Sequence, residues 1–303
     1  MRKISFLLFL TVAVTLAACG TVEKTCGPEN DLTPNIIPDP SALDTFMVAS
    51  LGVDELAVVG PGAEHSTLVQ AHFNDFTNYQ VQLAETIEFA DHTACFVYAG
   101  RPVTSGDPIP LHIQSATFGG LSQQVVLEPD EFEHIPTQVI PQRGYDSDQV
   151  SIDVSSSGTL EDGNFPAFSD TIPAPTLPVL LRIGDVEPVD LTTSPSIGIT
   201  ADRIEHMLVQ WEPSGADYVE IKIIPGAGSE TPYAKLRCIT FDDGCLEIPA
   251  GALAHLALDM ATNFQFRIEN HFFVIHPIMD EDGKTKASAL IDTSSTLAGT
   301  VLR

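Results

Sequence analysis

Short segments in which apolar and polar residues alternate recur along most of this chain, and they constrain its fold more than any other feature. Val219, Ile221 and Ile223 alternate with polar neighbours, and the segment 264–268 repeats the pattern. A period of two places successive side chains on opposite faces of an extended strand. Because Gly, Pro, Asn and Asp separate these segments, and no window carries a long apolar stripe of period 3.6, the pattern predicts an all-β protein.

A proline-rich stretch divides the chain into two parts. Residues 172–178 read Ile-Pro-Ala-Pro-Thr-Leu-Pro, and proline both removes ladder donors and stiffens the chain. A length of 303 residues also favours two cores over one. We therefore expect a polar, Pro-rich flexible tether at 19–40, an antiparallel β-sandwich domain at 41–171, a linker at 172–179 and a second β-sandwich domain at 180–303.

The N-terminus has the form of a bacterial lipoprotein signal. Arg2 and Lys3 precede the apolar run 4–16, which is too short to span a bilayer, and the sequence Leu16-Ala17-Ala18-Cys19 resembles a lipobox. We expect residues 1–18 to be removed as a signal peptide and Cys19 to carry the lipid. An ordinary cleaved secretion signal is the alternative, and Leu16 fits its cleavage site poorly.

The charge balance excludes one class of partner. Lys and Arg number 14 against 41 Asp and Glu, which gives a formal net charge of −27. Such a surface repels nucleic acid and anionic headgroups, so we expect no nucleic-acid partner and membrane attachment through the lipid anchor only. The excess of carboxylates has two possible roles, to keep the protein soluble or to bind Ca²⁺ or a cationic partner. Because the carboxylates are dispersed along the sequence, solubility is the favoured role.

Four cysteines remain if Cys19 is lipidated, and four allow three disulfide pairings. Cys238 and Cys245 flank the turn Asp242-Asp243-Gly244, which predicts a bridge across a hairpin. The second bond would then join Cys26 to Cys95. Free thiols are less consistent with an oxidising compartment, and no C-x-x-C spacing indicates a zinc site.

The C-terminal part resembles a fibronectin type III module. The run 208–213 (LVQWEP) followed by 218–221 (YVEI) is similar to the B and C strands of that family, and 248–256 followed by 264–266 is similar to its E–F connection and F strand. The resemblance covers residues 180–303 and implies that Trp211 packs in the core between two sheets. The segment containing Cys238 and Cys245 departs from the simple module.

The chain as a whole resembles uncharacterised surface lipoproteins of myxobacteria-like lineages. The shared features are the lipobox, the acidic β body, the sequence 165–169 (FPAFS) followed by prolines, and the segment from Cys238 through Asp242-Asp243-Gly244-Cys245 to Ile248-Pro249-Ala250. That family has no known active site, so the resemblance implies a location and a fold without a chemistry.

Motifs that would indicate catalysis or a cofactor do not occur in the sequence. It contains no phosphate-binding G-x-x-x-x-G-K, no G-x-S-x-G nucleophile elbow and no H-E-x-x-H zinc motif. His271 and His276 lie five residues apart on a predicted strand and so face opposite sides, which disfavours joint metal ligation. We therefore expect no catalytic residues, no metal and no cofactor.

These observations predict a non-enzymatic cell-envelope lipoprotein that presents β-sandwich domains to an unknown protein or glycan. Gly20, in place of an aspartate after Cys19, favours the outer membrane. One alternative is an exported carboxylate-based, glycosidase-like hydrolase, which needs a carboxyl group of raised pKa in a concave site. Another is a Ca²⁺-dependent adhesion module using the turn 280–283 (DEDG), although this turn lacks the remaining ligands of an EF-hand loop.

Overall fold

The computed structural model describes residue 26 and residues 47–60, 63–75, 80–82, 86–89, 92–98, 103–105, 109–130, 135–187, 189–197, 206–226, 235–256, 263–279 and 283–302. The predicted signal peptide, Cys19 and all of the predicted tether except Cys26 lie outside these residues. Among the described residues no helix is long and apolar enough to cross a membrane.

Strands dominate the described part of the chain, which confirms the predicted all-β class. The strands are β1 (Met47–Val58), β2 (Glu64–Asp75), β3 (Gln80–Gln82), β4 (Thr86–Phe89), β5 (His92–Tyr98), β6 (Val103–Ser105), β7 (Ile109–Pro110), β8 (Ser115–Gly119), β9 (Val125–Leu127), β10 (Gln138–Ile140), β11 (Gln149–Ser155), β12 (Phe168–Pro173), β13 (Leu180–Ile183), β14 (His206–Trp211), β15 (Tyr218–Pro225), β16 (Lys235–Thr240), β17 (Cys245–Pro249), β18 (Asn263–Met279) and β19 (Thr285–Leu302). The described helical segments are a short α-helix, Ala250–Ala254, and the 3-10 turns Leu160–Asp162 and Leu191–Thr193.

One large sheet, called the common sheet below, runs through the whole molecule in the order β10-β2-β1-β19-β18-β15-β16-β5-β4, with β7 paired to β2. Its neighbours are antiparallel except β1 and β19, which run parallel. Strands β18 and β19 contain 17 and 18 residues and extend over roughly 55 Å. This long hairpin therefore contributes side chains to two separate cores.

Two smaller sheets cover one side of the common sheet and complete two sandwiches. The sheet β12-β11-β8-β9 encloses the first core, which includes Phe118, Ile152 and Phe165. The sheet β13-β14-β17 encloses the second, which includes Trp211 and Phe266. The two predicted β-sandwiches are thus present, and their strands pair antiparallel except at β1 and β19.

The second sandwich has the strand arrangement of a fibronectin type III module. Strands β13, β14 and β17 occupy the A, B and E positions, and they face β16, β15, β18 and β19 in the C′, C, F and G positions. Trp211 is only 1% exposed in the core between these sheets, as predicted. Its indole Nε1 donates a hydrogen bond to Asp242 Oδ1 at 2.8 Å.

The predicted boundaries do not separate the molecule into two consecutive domains. Strand β1, from the predicted 41–171 domain, pairs along its length with β19 from the 180–303 domain, and β5 pairs with β16. Alternation in a sequence specifies which face of a strand is buried, but it does not specify the neighbouring strand. The two cores exist, but the strands of one sheet interleave both halves of the chain.

The predicted linker connects the two smaller sheets and is held against the common sheet. Thr293 Oγ1 donates to the carbonyl of Pro173 at 2.7 Å, and Ser295 Oγ donates to that of Pro175 at 3.0 Å. Asn270 Nδ2 donates to a third linker carbonyl at 3.0 Å. These polar side chains lie between the two cores, where they donate hydrogen bonds to the carbonyl oxygens of the linker. The linker's prolines lack N–H groups and cannot donate in return.

All four predicted cysteines form disulfides, but the predicted pairing is wrong. Cys95 is bonded to Cys238, with 4.1 Å between their Cα atoms, and Cys26 is bonded to Cys245, with a Cα separation of 5.5 Å. Cys238 lies in the common sheet and Cys245 in the facing sheet, so the turn between them crosses from one sheet to the other instead of closing a hairpin. Cys95 lies directly opposite Cys238 in the ladder.

Candidate functional site

The side of the common sheet that faces away from both cores, called the outer face below, carries charged side chains in rows. Lys222 lies directly opposite Arg237 on one neighbouring strand and Arg267 on the other. Two residues further along, Glu220 lies opposite Glu269. A step of two residues returns a side chain to the same face, so a row of three cations lies beside a row of two carboxylates.

Ion pairs between the two rows compensate the like charges within each row. Lys222 Nζ lies 2.7 Å from Glu269 Oε2 and 3.2 Å from Glu220 Oε1. The Arg237 guanidinium binds both carboxylate oxygens of Glu220. Both carboxylates are buried, so each requires such partners, because an unpaired charge away from water is costly.

His271 extends this cluster by one more row. Its Nδ1 lies 3.3 Å from both carboxylate oxygens of Asp292, its Nε2 lies 3.3 Å from Glu269 Oε2, and its ring stacks on Tyr218 with 4.5 Å between ring centroids. Burial alone would lower the pKa of His271, but the hydrogen bonds to Asp292 and Glu269 outweigh burial and raise the pKa to about 9. His271 is therefore a cation at neutral pH.

The pKa of Glu269 shifts in the opposite direction. Burial would raise it, but the hydrogen bond with His271 and the charge of Lys222 outweigh burial and lower the pKa to about 2. Because the two groups share one interaction, their shifts describe one stabilised ion pair rather than two independent contributions.

Glu220, Glu269 and His271 also bring three potential ligand atoms within 4.8 Å of one another. A divalent ion needs an unprotonated imidazole nitrogen and carboxylate oxygens available for coordination. Here Lys222 and Arg237 already engage the carboxylates, and the raised pKa of His271 means that an ion would have to displace a proton from the imidazole. The arrangement is chemically a charge-compensated ion-pair network.

The two histidines considered at the sequence level face opposite sides, as predicted. His271 lies on the outer face, whereas His276 Nδ1 lies 2.9 Å from Asp170 Oδ2 and its ring stacks on Phe168 at 4.4 Å. The predicted Ca²⁺ turn cannot be placed, because residues 280–282 lie outside the described residues.

A cavity of about 440 Å³ adjoins the ion-pair network on the outer face. Lys222, Arg267, Glu269 and His271 line one end, and the opposite end is formed by apolar residues of β1, β2 and β10. Between these ends lies Asp54 on β1, which accepts hydrogen bonds from Ser294 Oγ at 2.8 Å and from Gln70 Nε2 at 3.3 Å. The volume of the cavity is in the range typical of small-molecule sites.

Burial raises the pKa of the Asp54 carboxyl, and the nearby charges of Asp292 and Glu269 raise it further. The sequence did not single out Asp54, Glu220 or Glu269. Glu220 and Glu269 fall in the polar positions of alternating strands, as solvent-facing residues do, and Asp54 stands between Val53 and Glu55 without strict alternation. No local signal identifies them, because strands far apart in the sequence bring them together.

Comparison with known proteins does not extend this description. A scan against protein-family models finds no match to the chain, and a search of curated proteins finds no similar sequence. The activity has to be inferred from the residues themselves.

Proposed function

We propose that this protein is an exported, non-enzymatic lipoprotein of the cell envelope, anchored through Cys19, that presents its two β-sandwiches to a protein or glycan partner. The disulfide pattern carries the proposal. Of five cysteines, four form the bonds Cys26–Cys245 and Cys95–Cys238, which leaves Cys19 for the lipid. Disulfides form and persist in oxidising compartments, which agrees with export across the inner membrane.

The disulfide between Cys26 and Cys245 also limits how far the two sandwiches can lie from the proposed lipid anchor. Because Cys26 is joined to Cys245, the connection from the anchor to the second sandwich consists of the seven residue steps from Cys19 to Cys26. A fully extended segment of this length spans roughly 25 Å. The acyl chains of Cys19 hold the body near a membrane whose anionic headgroups its own charge repels. Gly20 after the lipidated cysteine favours the outer membrane.

The ion-pair network supports a non-enzymatic role. A general base or nucleophile needs a group that can exchange a proton or attack a substrate. Glu220 and Glu269 are instead held by Lys222, Arg237 and His271. Partner recognition through the surfaces of two rigid sandwiches requires no such group.

Replacing the anchor residue tests this proposal. The Cys19→Ala variant is expected to move from the membrane fraction to the soluble exported fraction, because the thioether needs the Cys19 thiol. Fractionation followed by immunoblotting measures the shift. Cys26→Ser is the matched control, since it removes a nearby cysteine but leaves the lipobox intact and should stay with the membrane. Membrane association of Cys19→Ala equal to wild type would refute the lipid anchor.

A hydrolase is the second candidate, and one observation favours it. Asp54 and Glu269 line the same cavity with pKa values shifted in opposite directions, as in a carboxyl acid and carboxylate pair. The two residues lie on strands separated by β19, so their backbones are about 10 Å apart. Inverting glycosidases separate their two carboxyl groups by roughly 6.5–9.5 Å, which is the distance that these two side chains would have to reach.

The two candidates differ in one measurable property. If the cavity hydrolyses a polysaccharide, wild-type protein releases reducing ends from envelope glycan, and Asp54→Asn lowers the rate at least about 100-fold by removing the acid. Glu247→Gln, a substitution outside the cavity, is the matched control. We expect no release above the protein-free background from either wild type or variant, in agreement with a non-enzymatic role. Wild-type release that Asp54→Asn abolishes would reverse this assignment.

A further inference from the structure

We propose that the cavity on the outer face binds a small amphiphilic organic carboxylate, with the carboxylate at Arg267 and the apolar part against β1, β2 and β10. This ligand site goes beyond the proposed function and does not depend on the lipid anchor. It stands on two features at opposite ends of the cavity, an incompletely used guanidinium and an uncovered apolar strip.

Arg267 forms the polar end of the site. Its Nε and Nη2 both donate to a single oxygen, Gln265 Oε1, at 3.2 and 3.0 Å. Within the described parts of the chain, no carboxylate pairs with Arg267. A planar guanidinium matches the two oxygens of a carboxylate. A guanidinium therefore binds a carboxylate more strongly than it binds one neutral amide oxygen. The Nε–Nη2 edge of Arg267 therefore holds one neutral acceptor, which a ligand carboxylate can displace to bind both nitrogens.

The surrounding charges favour an anion at Arg267 and orient it. Lys222 lies directly opposite Arg267, and its positive charge adds to the local potential although its amine is paired with Glu269. Asp54 lines the cavity between Arg267 and the apolar residues. The next residue, Glu55, points to the opposite face of the sheet, where its carboxylate binds His65 and Ser295. A ligand carboxylate is thus attracted to Arg267 and kept away from the middle of the cavity by Asp54, in a chain whose overall charge is −27.

Apolar side chains form the other end. Leu56, Leu68 and Val139 line the cavity from three neighbouring strands, and Val139 lies directly opposite Leu68 in the ladder. Val139 is 58% exposed. The half-buried Leu56 and Leu68 and the exposed Val139 thus form a solvent-side apolar surface that the apolar part of a ligand can cover. Strand β1 is two strands from β18, so the apolar end begins about 10 Å from Arg267.

An alkyl carboxylate of roughly eight carbons spans this separation, so octanoate is a suitable probe. Calorimetric titration of the full chain carrying Cys19→Ala, which needs no detergent, is expected to show saturable octanoate binding. Octanol lacks the carboxylate and acetate lacks the chain, and each should bind at least about tenfold more weakly. Octanol binding as tight as octanoate binding would overturn the proposal.

Two variants locate the ligand. Arg267→Gln is expected to weaken octanoate binding at least about tenfold through loss of the bidentate contact. Arg182→Gln is the matched control, because Arg182 lies in the facing sheet and donates to a backbone carbonyl, and it should bind as wild type does. Absence of octanoate binding, or equal binding by wild type and Arg267→Gln, would refute the site and would leave the test of the Cys19 anchor unaffected.

Discussion

Replacing Trp211 by alanine is expected to lower the free energy of unfolding by about 3–5 kcal/mol, the range for truncation of a large buried aromatic residue. Trp211 is 1% exposed and packs between the two sheets of the second sandwich, so its removal leaves a cavity that the disulfide-linked strands close only in part. The variant also loses the hydrogen bond to Asp242. Urea denaturation of the disulfide-intact protein measures the change.

Two further substitutions separate the cavity from other effects. Trp211→Phe fills most of the space and loses the indole donor, so it should cost less than Trp211→Ala. Leu181→Ala removes an apolar side chain that is 40% exposed in the same small sheet and should change the free energy of unfolding by less than about 1 kcal/mol. A loss below about 1 kcal/mol for Trp211→Ala would place the indole outside the core.

Trp211 illustrates what the sequence alone could predict. A tryptophan in an alternating strand, followed by a second alternating strand, is a local pattern, and local patterns specify which face is buried. The same reasoning correctly placed His271 and His276 on opposite faces of β18. Fold class and facing direction were therefore accessible from local patterns, whereas the core position of Trp211 was implied by the resemblance to a fibronectin type III module.

Strand pairing was not accessible from the sequence. The parallel pairing of β1 with β19 joins residues more than 200 positions apart, and period-two alternation fits many alternative neighbours equally well. The wrong disulfide pairing has the same cause. Cys238 and Cys245 are near in sequence, and only the assignment of their strands to different sheets separates them.

The candidate site was inaccessible for a related reason. Glu220 and Lys222 occupy positions that a half-buried strand normally exposes to solvent, and their sequence gives no indication of burial. Glu220 becomes buried and Lys222 half-buried because side chains of the two neighbouring strands, Arg237 on one and Arg267, Glu269 and His271 on the other, surround them on the outer face. The site therefore depends on which strands are neighbours in the common sheet and on the register in which they pair.

The network makes stability depend on pH in a specific direction. The folded-state pKa of His271, about 9, exceeds its ordinary value of 6.5, so the folded state binds the proton more tightly than the unfolded state. The resulting stabilisation is complete below about pH 6.5 and is lost as the pH rises through about 9. A difference of this size corresponds to roughly 3 kcal/mol, and His271 is only 6% exposed, so solvent screens it little.

We therefore expect wild type to lose roughly 3 kcal/mol more than His271→Gln between about pH 6 and about pH 9.5, measured by urea denaturation at each pH. Taking the difference between the two proteins removes the pH dependence that other groups contribute to both. Glutamine keeps a polar side chain beside Asp292 and Glu269 but cannot bind a proton in this range. A stability difference that stays constant across this pH range would mean that folding does not raise the pKa of His271.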